Sequence, residues 1–185
     1  SHYLSKLDSS GRLTFSTFLP VKEDVATIVN GIALASDGGI LIAGSSSGGV
    51  ITTPGAYRQE LLGTFSSFGS FVVSPVNAFV QRIRSDGSAL DFGTYLGPER
   101  TQGNSLAVER DGSILVGATG GIYRLSSDGS QLRTSNVSFG GARLTGVAVG
   151  TESQIYGMTF GPPVTLVRFD ADLHVAGQTA IRGAG

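Results

Sequence analysis

Three short passages of this chain copy one another: RSDGSAL from Arg84, SSDGSQL from Ser126 and, less closely, LDSSGRL from Leu7. Each joins two strand-like runs through a Ser/Asp-Gly turn, so the chain reads as an array of β-hairpins. Asp-Gly suits such turns physically. Glycine reaches positive φ without a steric cost, and aspartate bonds its own backbone two residues on. An internal repeat narrows the choice of fold sharply, because each unit must bury its apolar face against the next.

Two hairpin types alternate. The first contains GIALASDGGILIAG (Gly31 to Gly44), SLAVERDGSILVGA (Ser105 to Ala118) and GVAVGTESQIYGMT (Gly146 to Thr159). The second contains YLSKLDSSGRLTFSTFL from Tyr3, AFVQRIRSDGSALDFGTYL from Ala78, IYRLSSDGSQLRTSNVSF from Ile122 and TLVRFDADLHVAGQTAI from Thr165. Gly87 to Gly129 is 42 residues, and Gly129 to the equivalent Leu173 is 44. Gly11 to Gly87 is 76, one period with an insertion.

A period of about 40 to 45 residues carrying four strands is the size of one propeller blade. The runs ILIAG and ILVGA are apolar on consecutive residues, as strands buried on both faces must be. Ala33, Ala107 and Ala148 share one register, flanked by Ile32/Leu34, Leu106/Val108 and Val147/Val149. Small residues there suit the crowded space where innermost strands converge. Helical periodicity is absent, apart from a helical turn expected at Ala56 to Leu62. The expected fold is all-β, a β-propeller of four-stranded antiparallel blades. Strand counting gives an open arc of about three and a half blades: a half blade over 1–20, then blades over about 30–97, 103–140 and 144–182. The half blade holds only outer strands, so the chain reads as a segment of a longer propeller, with the missing blades as its partners.

Composition removes several classes of function. Net charge is -1, and the eleven Arg and two Lys are scattered singly, so the electrostatic footprint of a nucleic-acid binder is missing. Charged residues are 15%, against about 25% in ordinary domains, a balance common in exported β proteins. There is no cysteine, hence no disulfide, thiolate metal site or Cys nucleophile. His2 and His174 are the only histidines, far apart and without a ligand-spaced partner. No apolar run reaches the roughly 18 residues that span a bilayer, so direct membrane insertion is not expected. The opening SHYLSKLD lacks the pattern of a signal peptide. The glycine-rich segments do not open helices, so a phosphate cradle has no helix N-terminus to use. No cofactor is expected.

TTPGAY (Thr52 to Tyr57), AFVQRIRSDGSALDFGTYLG (Ala78 to Gly97) and GNSLAVERDGSILVGA (Gly103 to Ala118) resemble the SBBP repeat family of bacterial β-propellers. Thr53 to Tyr57, Ala78 to Val80 and Thr94 to Gly97 match three parts of its pattern. The resemblance is strong over 30–118 and weaker over 1–20 and 119–185. The spacer from Tyr57 to Ala78 is longer than the family's, and the third blade lacks the proline-glycine-tyrosine element. No catalytic residue carries over. The resemblance implies an exported or cell-surface bacterial scaffold.

Turns within hairpins are short and uniform, whereas connections between hairpins are longer and differ from one another: Leu19 to Gly31, the insertion 45–77, Gly97 to Asn104, Phe139 to Thr145 and Met158 to Pro163. In an up-down blade those connections share one side, and variable loops on a rigid scaffold are where recognition sits. The expected role is therefore a non-enzymatic scaffold or a binder of protein or carbohydrate. Its candidate residues are Asp24, Phe65, Phe68, Phe71, Glu99, Arg100 and Arg143. The three phenylalanines form either an aromatic surface or extra core folded back on the blade. Asp24 and Glu99 are either an acid/base pair across a central opening or solvated loop charge. The turn aspartates Asp37, Asp86, Asp111 and Asp128, with DADL from Asp170, admit a calcium reading, but turn chemistry explains them with no further ligand. The rival function is part of a propeller lyase or hydrolase with Arg100, Arg143 and acids gathered at the axis.

Overall fold

The computed structural model describes residues 2–22, 25–68, 71–136, 143–161 and 163–181. The described residues are all β, with no helix. A hairpin of β1 (Tyr3–Leu7) and β2 (Leu13–Phe18) comes first. The first four-stranded sheet is β3 (Thr27–Leu34), β4 (Ile40–Ser46), β7 (Asn77–Ile83) and β8 (Leu90–Leu96), with a small hairpin of β5 (Ser66–Phe68) and β6 (Phe71–Val73) inserted between its middle strands. The second sheet is β9 (Gly103–Val108), β10 (Ile114–Ala118), β11 (Gly121–Leu125) and β12 (Leu132–Asn136). The third is β13 (Leu144–Val149), β14 (Ile155–Thr159), β15 (Val164–Phe169) and β16 (Val175–Ile181). Every pairing within them is antiparallel and sequential, the up-down order expected of chained hairpins.

Six turns are built from one piece of chemistry. Asp86 Oδ1 accepts the Ser88 N–H at 2.9 Å, and Asp111 Oδ1 accepts the Ser113 N–H at 2.9 Å. Asp8, Asp37, Asp128 and Asp170 accept equivalent backbone N–H groups. All six carboxyls are held below the usual carboxylate range, chiefly by the Ser10 and Ser88 hydroxyls at Asp8 and Asp86 and by backbone N–H groups at Asp37, Asp111 and Asp170, where that of His174 leads. At Asp128 the Ser126 and Ser130 hydroxyls join in, and its pKa falls to about 2. The aspartates serve their own turns, and Asp37 and Asp111 pair in addition with Arg82 and Arg133.

The sheets stack face to face, and β9, the first strand of the second sheet, lies between β3 and β13. Leu41, Ala43, Ala78, Val80, Phe92 and Leu96 of the first sheet close on Leu106, Ile114, Val116, Ala118, Tyr123 and Leu125 of the second. Leu115 and Ile122 face the other way, onto Leu144, Ile155, Val167 and Phe169. ILIAG and ILVGA are buried throughout, as consecutive apolar residues between two packed faces must be. Glycines permit the closest approaches: a Cβ on Gly44 would lie 1.9 Å from the Ile28 carbonyl oxygen. Side-chain amides stitch the first strands together, with Asn30 donating to the Gly103 carbonyl (2.8 Å) and Asn104 to that of Leu144 (2.9 Å).

Two local expectations fail. The connection from Leu19 to Gly31 is not all loop, because β3 begins at Thr27 and pairs with β4 through a bulge between Val29 and Gly31. The β-branched Thr27, Ile28 and Val29 begin the strand, and the bulge carries it past Asn30-Gly31, which alone would read as a turn. The segment Ala56 to Leu62 has no helical turn. Its backbone bonds go to β8 instead, with Tyr95 donating to the Arg58 carbonyl at 2.9 Å.

Candidate functional site

Sequential hairpins place the connections between them at one end of the sheets, opposite the six Asp turns. The insertion 45–77 leaves that end and is held along β8 by a chain of bonds. Thr53 N–H donates to the Gly93 carbonyl at 3.1 Å, and the Gly93 N–H returns a bond to Thr53 Oγ1 at 3.2 Å. Arg58 N–H donates to Thr94 Oγ1 at 2.9 Å. Tyr57 N–H crosses to the Gly129 carbonyl of the second sheet's outer turn at 2.9 Å. The Thr-Pro-Gly-Ala-Tyr stretch therefore clips the outer strand of one sheet to the next. The Arg58 guanidinium lies 5.2 Å from the Tyr57 ring centroid and donates to Gly97 O. Burial pushes the phenols of Tyr95 and Tyr123 up, against the hydrogen bonds that each makes.

Asn77, fully buried, ties the insertion to the 97–104 loop. Its Oδ1 accepts the Leu62 N–H at 2.6 Å, and its Nδ2 donates to Val76 O at 2.8 Å and Pro98 O at 3.4 Å. Glu99 then lies over Gly63, where an added Cβ would come 2.5 Å from its Cδ. Arg100 takes a left-handed φ of 66° and donates its N–H to Val76 O at 2.7 Å. Both residues thus sit against the insertion. Phe65 is 64% exposed rather than folded into the core. The backbones of Phe68 and Phe71 pair in the β5–β6 hairpin, and their side chains lie outside the described residues. Asp24 lies outside them too, which leaves its pairing with Glu99 without a geometry.

Arg143 has the most developed surroundings. Its Nε and Nη2 donate to Asn104 Oδ1 at 3.2 and 3.0 Å, and Nη2 also donates to Gln102 Oε1 at 3.0 Å. Its backbone bridges Thr119, and its carbonyl accepts the Phe160 N–H at 2.8 Å. Phe160 is 72% exposed. The guanidinium is oriented by neutral amide oxygens, so its charge stays available to a ligand. A planar cation and two carboxamides thus meet where β9, β10, β13 and β14 begin or end, and Phe160, bonded to Arg143 through the backbone, exposes its ring beside that strand end. Sequence reading missed Gln102, Asn104 and Phe160. The amides are 41 and 39 residues from Arg143, and only the antiparallel register of neighbouring sheets joins them. Among the described residues no group of three His, Cys, Asp or Glu is placed to hold a metal ion.

No family model matches the chain, and no curated protein matches it. Among solved structures, it is similar to a protein of unknown function from Bacteroides caccae, at 12% identity and a TM-score of 0.46, over 97% of this chain and 69% of that one. It is also similar to the extracellular domain of a protein described as a one component system from B. thetaiotaomicron. There the identity is 12% and the TM-score 0.43, over 99% of this chain and 27% of that one.

Proposed function

We propose that this chain is a piece of an exported bacterial β-propeller of the SBBP repeat type, a non-enzymatic scaffold that binds carbohydrate through its inter-hairpin loops. The blade reading draws on the stacking of the sheets by their first strands, with β9 between β3 and β13. The observation that carries the ligand class is the group of Arg143, Gln102, Asn104 and Phe160. Sugar hydroxyls both donate and accept, and so pair with guanidinium and carboxamide groups. The C–H face of a pyranose lies against an exposed ring such as that of Phe160. A protein partner would use the same face more broadly, through Phe65, Glu99 and Arg100 as well.

The test is a calorimetric titration with a panel of neutral and uronic-acid oligosaccharides. At least one is expected to bind saturably, with Arg143→Ala and Phe160→Ala each weakening it about tenfold, worth about 1.4 kcal/mol. Both side chains are exposed, so the melting temperature should hold. Silence across the panel, or binding indifferent to both variants, overturns the carbohydrate reading.

A further inference from the structure

An open groove of about 470 Å³ lies between β1 and β3, lined by His2, Tyr3, Leu4, Leu19, Val29, Asn30, Gly31, Ile32 and Ile42. We infer that it is a docking site for a β-hairpin of this chain's own inner type, which pairs with the free edge of β1 and covers the apolar face of β3. This inference rests on the repeat-scaffold reading above.

The molecule itself shows what fills the equivalent place. The β1–β2 hairpin meets the first sheet as β7–β8 meets the second. Phe15 covers the turn at Gly87 and Phe92 the turn at Gly129, so close that a Cβ on either glycine would lie 2.5 or 2.4 Å from the ring. In the second case the outer pair β7–β8 is joined by an inner pair, β3–β4, which packs on β9 and β10 through Ala33, Ala35, Leu41 and Ala43. Beside β1 no such pair is present among the described residues, and the backbone of β1 pairs only with β2.

Exposure follows that difference. Leu106 and Val108, and likewise Val147 and Val149, pack against the preceding sheet. Their equivalents Ile32 and Leu34 are 60% and 67% exposed. The groove is continuous with an interface the chain already makes, since Leu4, Leu19, Ile42 and Val29 belong to the cluster that holds β1–β2 on the first sheet. An occupant seated there extends that interface inward. Neighbours in the existing sheets make its chemistry specific: two short apolar strands, small on one face, joined by an Asp-Gly turn.

The edge can accept it. Leu19 N–H donates to His2 O at 2.9 Å, which marks His2/Leu19 as a bonded pair. Alternation along the antiparallel register then makes Leu4/Thr17 and Lys6/Phe15 bonded pairs. The backbone N–H and C=O groups of Tyr3 and Ser5 therefore point away from β2, toward the groove.

The experiment titrates the whole chain with a synthetic peptide of residues 29–46, VNGIALASDGGILIAGSS, carrying a solubilising lysine tail. Binding is read by calorimetry and by amide exchange, and sedimentation of the chain alone runs beside it. Saturable one-to-one binding is expected, with slowed exchange at the Tyr3 and Ser5 amides. Ser5→Pro removes one outward N–H while sparing those bonded to β2. Ile32→Lys places charge on an exposed position of the groove, and so tests the idea even should the proline variant unfold. Each is expected to weaken binding at least tenfold. No saturable binding, binding unchanged in a folded variant, or self-association through this groove would overturn the inference. Oligosaccharide binding on the same samples separates the two ideas. Sugar binding without peptide binding removes only the docking site, and the reverse removes only the sugar site.

Discussion

The two faces of the first sheet carry similar residues and meet different fates. On one, Ala33, Leu41, Val80 and Phe92 are covered along all four strands by the second sheet. On the other, Ile40, Ile42, Phe79 and Ile83 are covered by β1–β2, while Ile32 and Leu34 of the same sheet are left to solvent. The repeated alanines show the mirror of this at the far end. Ala33 and Ala107 pack onto neighbouring clusters, whereas Ala148 is exposed. Burial in this molecule is thus a property of having a neighbouring sheet, not of the residue. Stacked repeats take much of their stability from such interfaces.

The sharpest way to break the covered side is Gly44→Ala. Its Cβ would lie 1.9 Å from a backbone oxygen of β3, which cannot move without shifting the whole strand. A loss of about 3 kcal/mol or more, or failure to fold, is expected in urea unfolding. Gly177→Ala on β16, with nothing within 4 Å, should leave stability unchanged within about 0.5 kcal/mol.

Leu41→Ala against Ile32→Ala tests the two faces directly. Leu41 is fully buried, so truncation should cost about 3 kcal/mol. The same change at Ile32 should stay within about 0.5 kcal/mol. Similar costs for both would mean that the β3 face is covered in solution. Asn77→Ala removes a buried amide that holds the loop end together and should cost about 2 kcal/mol. It should also speed amide exchange at Leu62 while β9 and β10 keep their protection.

The smallest effect is expected in acid. At Asp128 the folded-state pKa, about 2, is below the ordinary value of 3.8. Its contribution is complete above that ordinary value and disappears as pH falls through about 2. The other five turn aspartates shift in the same direction. The melting temperature should therefore fall in that acid window, and Asp128→Asn should blunt the fall. A flat profile would mean that the turns keep equal proton affinity when unfolded.

Hairpin turns and the all-β class were legible because Asp-Gly chemistry is local: the side chain bonds a backbone N–H two residues away. The two-sided burial of ILIAG and ILVGA was legible for the same kind of reason, written in consecutive apolar residues. The start of β3 was not, because Asn30-Gly31 reads as a turn and hides the strand that the β-branched Thr27, Ile28 and Val29 begin. The candidate site was legible only in part. Arg143 stood out as loop charge, but nothing near it in sequence points to Gln102 or Asn104. Likewise TTPGAY was conspicuous as a motif, while its work as a clip from β8 to the second sheet emerges from bonds at long range.

By itself, then, the sequence determined the repeat, the turns, the strand order within each sheet and the side on which variable loops gather. Contacts within one period suffice for all of these. Tertiary structure alone decided which of the repeated apolar positions are buried and which amides orient Arg143. Those depend on a neighbouring sheet some 40 residues away, and identical side chains behave differently where that neighbour is present and where it is not.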